Sequence, residues 1–218
     1  MKRLPVWDLP LRLFHWSLVI LVVGAVATAE VGGSMMEWHA RCGFAILGLL
    51  LFRLVWGFWG GTYARYKHCL PSLRVLIASF PERRKRHRFG HTPLGRFALA
   101  AMLGALMVQT GSGLFANDDI DLEGPLFRHV SKATSDWLTG LHKLSAYVIG
   151  ALVALHLAAI LYYYLRKGDN LILPMIRGWR EADDHVPEVL AAQGGSTALG
   201  FFLISVCTAI TWFVVERL

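Results

Sequence analysis

Five long apolar segments constrain this sequence more than any other feature. Of its 218 residues, 55% are apolar and only 17% are charged, which is typical of a membrane protein. A helix needs roughly 20 mostly apolar residues to cross the ~30 Å hydrocarbon core of a bilayer. We therefore predict five transmembrane helices, at about residues 11–31, 41–60, 96–116, 140–165 and 198–215.

Basic residues are distributed unevenly between the two sides of such a membrane protein. Residues 1–12, 53–96 and 166–188 contain 17 of the 22 Lys and Arg residues, and five spans place these three stretches on one side. Because cytoplasmic segments carry an excess of Lys and Arg, this side is predicted to be cytoplasmic. The basic run RRKRHR at 83–88 is interpreted as a topology determinant that contacts anionic lipid. With that explanation the net charge of +7 does not indicate nucleic-acid binding.

The N-terminus has some features of a cleaved signal peptide. Lys2 and Arg3 precede an apolar stretch, and residues 27–29 (Ala-Thr-Ala) resemble a cleavage site. The apolar stretch is longer than the roughly 7 to 15 residues of a signal peptide, and it begins with Phe14, His15 and Trp16. We expect this segment to be retained as the first span.

Four of the nine histidines, His15, His39, His142 and His156, lie in or at the edges of the predicted spans. An ionisable side chain inside hydrocarbon is costly and usually faces a partner. His15 and His39 also have a simpler explanation, because both lie near a water interface. His156 has long uncharged stretches on both sides and is therefore the clearest functional candidate.

The spacing of these histidines predicts two pairs. His142 and His156 are 14 residues apart, which places them about 40° apart around one helix and roughly 21 Å apart along it. The predicted topology then puts His15 with His156 toward the cytoplasm, and His39 with His142 toward the outside. Two facing histidines at each of two depths are what two b-type haems require. The sequence contains no CxxCH motif for covalent haem attachment.

Positive side chains near these histidines are candidates to bind haem propionates. Arg53 lies 14 residues after His39, so it points the same way but at the depth of the inner haem. A guanidinium is well suited to a carboxylate. The alternative is that Arg53 only snorkels from a helix end to the interface. Three further candidates, chosen by proximity to the ligands alone, are Arg12, Arg41 and Lys143.

The segments VWDLPLRLFHWSLV, EWHARCGFAILGLLLFRLVWGFWG, GHTPLG and LHKLSAYVIGALVALHLAAI together resemble the prokaryotic cytochrome b561 family. That family is similar to the cytochrome b subunits of nickel-iron hydrogenases and membrane formate dehydrogenases. The resemblance covers about residues 6–180 and implies an all-α integral membrane protein, a four-helix transmembrane bundle holding two b haems. The family's axial ligands fall on His15, His39, His142 and His156.

The resemblance also implies a function. We expect a bacterial cytoplasmic-membrane protein, with its C-terminus in the periplasm, that transfers electrons between membrane quinone and a periplasmic c-type cytochrome or other redox protein. The family's quinone usually lies near the inner haem, where Arg53 and His91 are the candidate contacts. The acidic outer loop, residues 117–136, is the candidate docking surface, because it is too long to be a mere turn.

The C-terminus departs from the family pattern. Residues 1–180 are predicted to form the di-haem domain, 181–197 a linker, and 198–215 an additional, fifth transmembrane helix without histidine. Small and hydroxyl-bearing residues of this helix are suited to helix packing, either on its own bundle or on a partner. They are Ser205, Thr208, Ala209 and Thr211.

Two other functions remain open from the sequence. The first is a self-contained superoxide:quinone oxidoreductase, in which four cations near the outer haem attract the superoxide anion: Arg41, Arg128, Lys132 and Lys143. The acidic residues of the outer loop, 117–136, argue against it. The second is a non-redox metal transporter, which would need carboxylates that the spans almost entirely lack. The sequence also leaves open whether the protein is an electron-transfer subunit or an enzyme by itself, and whether it forms a homo-oligomer or a larger complex.

Overall fold

The computed structural model describes residues 2–69, 90–120, 122–182, 187 and 191–217. The basic run at 83–88 therefore lies outside the described residues. In chain order the named elements are β1 (Lys2–Pro5), α1 (Leu9–Val31), α2 (Met36–Trp59), α3 (Tyr66–Cys69), α4 (Pro93–Gly113), α5 (Lys132–Lys167), α6 (Ile172–Arg177), β2 (Trp179–Ala182) and α7 (Thr197–Arg217). Within the described part, five helices are long and apolar enough to cross a membrane. These are α1, α2, α4, α5 and α7, so the predicted all-α membrane fold is confirmed.

The fourth spanning helix is longer than hydropathy predicts. It begins at Lys132 rather than near residue 140, because its first turns are polar and carry no hydrophobic signal. Ser131 precedes it, and its hydroxyl oxygen accepts a hydrogen bond from the backbone N–H of Thr134 at 3.2 Å, as a helix N-cap does. The last part of the predicted outer loop, residues 132–136, is therefore helical.

Backbone contacts divide the chain into two compact units, to which the long helices contribute different portions. The first unit consists of Met1–Leu13, Leu54–Met102 and Leu152–Phe201. The second unit consists of Phe14–Arg53, Leu103–Ala151 and Phe202–Leu218. Each unit is described separately below.

The carboxylate of Asp8 organises the first unit. One of its oxygens accepts hydrogen bonds from the backbone N–H of Leu11 at 2.8 Å and from the indole N–H of Trp56 at 3.1 Å. The other accepts from the backbone N–H of Gly61 at 2.8 Å. Because Trp56 has no exposed surface, its buried N–H needs such an acceptor. Asp8 thus caps the start of α1 and holds the end of α2.

The first unit also contains a two-stranded sheet that the sequence did not predict. Strands β1 and β2 are antiparallel, with Lys2 opposite Ala182 and Pro5 opposite Trp179. Strands of four residues without clear alternation give too little periodicity to be recognised. The segment predicted as a linker, residues 181–197, thus starts inside β2. Further along it, Ala192 donates its backbone N–H to the carbonyl oxygen of Pro5 at 2.7 Å.

In the second unit, the fifth spanning helix packs against α2 of its own chain. A side chain at Gly48 would lie 3.1 Å from the Cα of Thr208 and 3.4 Å from the hydroxyl oxygen of Thr211. Cys207 and Thr211 are buried, one turn apart on α7. Membrane helices associate through such close contacts at small residues. The face of α7 that carries Thr208 and Thr211 is therefore used within the chain.

The role of Asp8 predicts a large loss of stability in the variant Asp8→Ala. Removal of the helix cap and of an acceptor for a buried indole should lower the free energy of unfolding by about 2–4 kcal/mol. The melting temperature in detergent should fall by roughly 5–10 °C. The control is Glu30→Ala, which removes an exposed carboxylate. Equal melting temperatures for the two variants would contradict the assigned role.

Candidate functional site

Two of the predicted ligands face each other in the second unit. The ring centroids of His39 on α2 and His142 on α5 are 5.9 Å apart, with an interplanar angle of 86°. A metal–imidazole bond is about 2 Å long, so two imidazoles on one metal ion have centroids about 6 Å apart. The separation of His39 and His142 therefore fits a single iron between them.

The other ring nitrogen of each histidine is held by a backbone carbonyl. The Nδ1 atom of His39 lies 2.8 Å from the carbonyl oxygen of Ala25 on α1. The Nδ1 atom of His142 lies 2.8 Å from the carbonyl oxygen of Gln109 on α4. A carbonyl oxygen only accepts, so Nδ1 carries the proton in both rings and donates it. This tautomer leaves a lone pair on Nε2 of each ring that could bind a metal, with the ring orientation fixed; in His142 this lone pair faces the side-chain amide nitrogen of Gln109 at 3.0 Å.

A polar network surrounds His142, and sequence reasoning missed it. The side-chain amide nitrogen of Gln109 lies 3.0 Å from Nε2 of His142, and the buried hydroxyl of Ser145 donates to the amide oxygen of Gln109. The available signal was the polar run Gln-Thr-Gly-Ser near the end of the third span. Polar groups at that depth usually have a partner or a function.

Close approach of α4 to His142 depends on Gly113. A Cβ atom at this position would lie 2.9 Å from Cε1 and 3.1 Å from Nδ1 of His142. By contrast, a Cβ atom at Gly111 would meet nothing within 4 Å. The imidazole of His142 therefore packs directly on the backbone of α4, and only glycine at 113 permits this contact.

His15 belongs to the second unit and His156 to the first, so the environment of each is described separately. His15 is half-buried, and its ring lies edge-on to Trp16 at 5.0 Å. His156 is half-buried on α5. Among the described residues no group forms a hydrogen bond with either ring nitrogen of His156. The pairing of His15 with His156 stays a prediction.

Arg53 is the most deeply buried of the predicted propionate contacts. Its side chain lies near the end of α2 in the second unit, and only 3% of the residue is exposed. A buried guanidinium is retained only when anions or hydrogen-bond acceptors stabilise it. The burial of Arg53 thus differs from the snorkelling alternative, in which the charged end would lie in water.

Of the other three predicted propionate contacts, Arg12 and Arg41 already bind other groups of the chain. The guanidinium of Arg12 donates to the backbone carbonyl of Ile176. Arg41 forms an ion pair with Glu37 at 2.5 Å, one helical turn away. Lys143 is exposed on α5 and is the only one of the three with no hydrogen bond or ion pair among the described residues. Their roles toward a haem stay predictions.

His91, the predicted quinone contact, lies in an aromatic cluster of the first unit. Its ring centroid is 4.8 Å from that of Trp7, and Trp7 lies edge-on to Tyr63 at 6.2 Å. Burial raises the pKa of the Tyr63 phenol, so this hydroxyl stays protonated and able to donate. Flat rings and hydroxyl or imidazole groups are suited to a quinone, which is itself flat and accepts hydrogen bonds.

The outer loop that was predicted to dock a partner is held against the start of α5. The side-chain amide of Asn117 donates to the hydroxyl of Ser135 at 2.6 Å. Lys132 forms ion pairs with Asp119 at 2.7 Å and with Asp136. The loop therefore presents a fixed surface, with part of its negative charge balanced by Lys132.

Comparison with known proteins identifies a family for this chain. The model of the family described as prokaryotic cytochrome b561 matches residues 6–178. The chain is 22% identical over 210 residues to the "Probable Ni/Fe-hydrogenase 1 B-type cytochrome subunit" of Escherichia coli, covering 80% of this chain and 89% of the relative. It is 26% identical over 223 residues to the "Probable Ni/Fe-hydrogenase B-type cytochrome subunit" of Azotobacter vinelandii, covering 84% and 90%. No solved structure matches the chain significantly.

The contact at Gly113 predicts a specific effect of a single methyl group. In Gly113→Ala the new Cβ should displace the His142 ring and loosen ligation at that position. We expect the purified variant to lose most of one b haem, measured as haem per chain from its reduced-minus-oxidised visible spectrum. Gly111→Ala adds the same methyl group two residues away, where there is space, and should keep the wild-type haem content. Full haem content in Gly113→Ala would show that this contact does not position His142.

Proposed function

Because this chain belongs to the prokaryotic cytochrome b561 family, we propose that it is a di-haem electron-transfer protein of the bacterial cytoplasmic membrane. It transfers electrons between membrane quinone and a redox protein on the periplasmic side. In this proposal residues 1–180 form the haem domain, the N-terminus is cytoplasmic and the C-terminus periplasmic. The charge distribution between the spans supports this orientation.

The geometry of His39 and His142 is the observation that carries the proposal. Their centroid separation of 5.9 Å and their carbonyl-bound Nδ1 atoms suit two axial ligands of one iron. A haem ligated on both faces supplies one-electron transfer and leaves no open iron position for oxygen. His39 and His142 would thus hold the haem predicted to be the outer one. The backbone carbonyl of Gln109 fixes the orientation of His142, and the side-chain amide of Gln109, which lies 3.0 Å from Nε2 of His142, would give way to the iron.

The second haem is assigned to His15 and His156, as the two-depth argument predicts. Arg53 is the proposed propionate contact of this haem, since it is buried and carries the planar donor group that binds carboxylates best. Arg12, Arg41 and Lys143 are secondary candidates. Arg41 must first exchange its partner Glu37 for a propionate.

Quinone is proposed to bind at the aromatic cluster of Trp7, Tyr63 and His91. The clustered rings there offer apolar faces and edges, while His91 and the protonated phenol of Tyr63 carry groups that can donate hydrogen bonds. Arg53 was the other predicted quinone contact, and we assign it to the haem instead, because its burial favours a fixed anionic partner.

The electron-transfer partner is proposed to be a subunit of a redox enzyme or a small redox protein that docks at the outer loop. The relatives carry the names of B-type cytochrome subunits of Ni/Fe-hydrogenases, which supports a larger redox complex. The loop's fixed conformation favours docking, since little ordering entropy is lost on binding. A c-type cytochrome with a basic surface is the alternative partner that its acidic residues suit.

The superoxide reaction is less well supported. Two of the cations that this reaction needs at the outer side already form ion pairs, Arg41 with Glu37 and Lys132 with Asp119 and Asp136. These carboxylates cancel the local field that would attract an anion. We therefore do not propose this activity. Metal transport is not proposed either, since the family match is to a cytochrome.

Replacement of single ligands tests the haem assignment. His142→Ala and His156→Ala should each lose one haem and keep the other, because the two ligands serve different irons. The measurement is haem per chain together with the reduced-minus-oxidised spectrum. His129→Ala, in the outer loop, is the matched control and should retain both haems. Loss of both haems or of neither in the two ligand variants would contradict the assignment.

Reduction by a quinol tests the electron path. Anaerobic addition of short-chain ubiquinol or of menadiol to the oxidised protein should reduce its haems, followed as a rise in the b-type absorption bands. His91→Phe keeps an aromatic ring against Trp7 but cannot form a hydrogen bond with the quinone. The rate of haem reduction should therefore fall about tenfold. His129→Phe should react like the wild type. Failure of both quinols to reduce the wild-type protein would refute the quinone link.

A further inference from the structure

A polar cavity of about 370 Å³ lies in the first unit, and none of its lining residues is a predicted haem ligand. Its walls come from residues that follow α2 and from residues that precede α7. Its lining residues are Thr62, Arg65, Lys67, His68, Gln193 and Gly194. Its volume falls within the roughly 300–1,000 Å³ of small-molecule sites.

Fixed backbone builds the walls of this cavity. Thr62 donates its backbone N–H to the carbonyl oxygen of Gln193 at 2.9 Å, and Gln193 donates its backbone N–H to the hydroxyl oxygen of Thr62 at 2.9 Å. The Nε atom of Arg65 donates to the carbonyl oxygen of Gly60 at 2.8 Å. A Cβ atom at Gly194 would lie 3.0 Å from Nη2 of Arg65. The segment around Gln193 is thus held in place, and the guanidinium of Arg65 lies against it.

The cavity carries positive charge, and no carboxylate among the described residues forms an ion pair with it. Arg65, Lys67 and His68 line it, and Arg96 acts electrostatically on His68. In the part of the chain that the structure describes, neither Arg65, Lys67 nor Arg96 forms an ion pair. Asp8 borders this region, but its oxygens accept from the N–H groups of Leu11, Trp56 and Gly61.

Two further observations favour an anion at this cavity. Arg96 does not line the cavity but acts electrostatically on His68, and its buried Nε atom has no hydrogen-bond partner among the described residues, which is costly for a charged group. Burial and then the positive charges of Lys67, Arg96 and Arg65 hold the pKa of His68 below its ordinary value. A bound anion would relieve this repulsion.

We propose that this cavity binds a phosphate group, carried either by an anionic lipid headgroup or by a free phosphate compound. Arg65 supplies a planar pair of donors, Lys67 a mobile positive charge, and the side-chain amide of Gln193 a neutral hydrogen bond, while the hydroxyl of Thr62 holds the Gln193 backbone in place. This combination is suited to phosphate oxygens. None of its lining residues is a proposed haem ligand, and it borders the proposed quinone site, because the ring of His68 lies edge-on to that of Tyr63 at 6.2 Å.

The test uses the full-length, haem-loaded protein in detergent. Native mass spectrometry measures binding of phosphatidylglycerol and, for comparison, of zwitterionic phosphatidylcholine. Calorimetry at low ionic strength measures binding of inorganic phosphate alone, and phosphate is also added as a competitor of the lipid. The variants are Arg65→Gln/Lys67→Gln and the single Lys67→Gln, which changes an exposed side chain that forms no hydrogen bond with the described residues. The matched control is Arg166→Gln/Lys167→Gln, which removes two exposed cations from the same unit.

The wild-type protein should bind at least one of the two probes. The double variant should weaken that binding tenfold or more, the single variant about threefold, and the control should bind as the wild type does. Lipid binding that 10 mM phosphate does not displace assigns the site to a headgroup; displacement assigns it to a free phosphate compound. Binding of neither probe, or equal weakening in the variant and its control, would overturn the proposal.

Discussion

An imidazole inside a membrane must satisfy both of its ring nitrogens without water. In the second unit, His39 and His142 meet half of this requirement with backbone carbonyls of neighbouring helices. A helical carbonyl oxygen has a second lone pair, so Ala25 and Gln109 accept these bonds without losing their helical ones. The Nε2 atoms of these two facing rings are the proposed iron ligands, and the one of His142 lies 3.0 Å from the side-chain amide nitrogen of Gln109.

This requirement explains much of the packing around the histidines. Glycine at 113 lets α4 approach close enough for the Gln109 carbonyl to reach His142. At Gly24 the side chain of Cys42 is 3.5 Å from the position of a Cβ atom, so α1 and α2 also pack closely, next to the carbonyl that holds His39. In the first unit a carboxylate has the organising role, since Asp8 joins the start of α1 to the end of α2. In both units a buried polar group obtains its hydrogen-bond partner from a neighbouring helix or its cap, so the same bond also holds the helices together.

Hydropathy and charge were sufficient to predict the five spans. With the cost of buried histidines they also placed His39 near His142, and the two rings are 5.9 Å apart; their ligation of one iron stays a prediction. Contacts between residues of different helices could not be predicted, because the spacing of residues within one helix does not show which carbonyl of a neighbouring helix faces a given histidine. Gln109, Ser145 and Gly113 were missed for this reason. The start of α5 was missed because its first turns are polar. The pair of Glu37 and Arg41 was visible as an i,i+4 spacing, and it makes Arg41 a weaker propionate contact than proximity suggested.

In the proposed function this chain would hold two b haems, each between two imidazoles. Low-temperature electron paramagnetic resonance of the oxidised, purified protein counts such haems, with spins measured against protein concentration. We expect two low-spin ferric signals per chain and no substantial high-spin signal, because both iron faces would be ligated. One signal per chain, or a dominant high-spin signal, would contradict it.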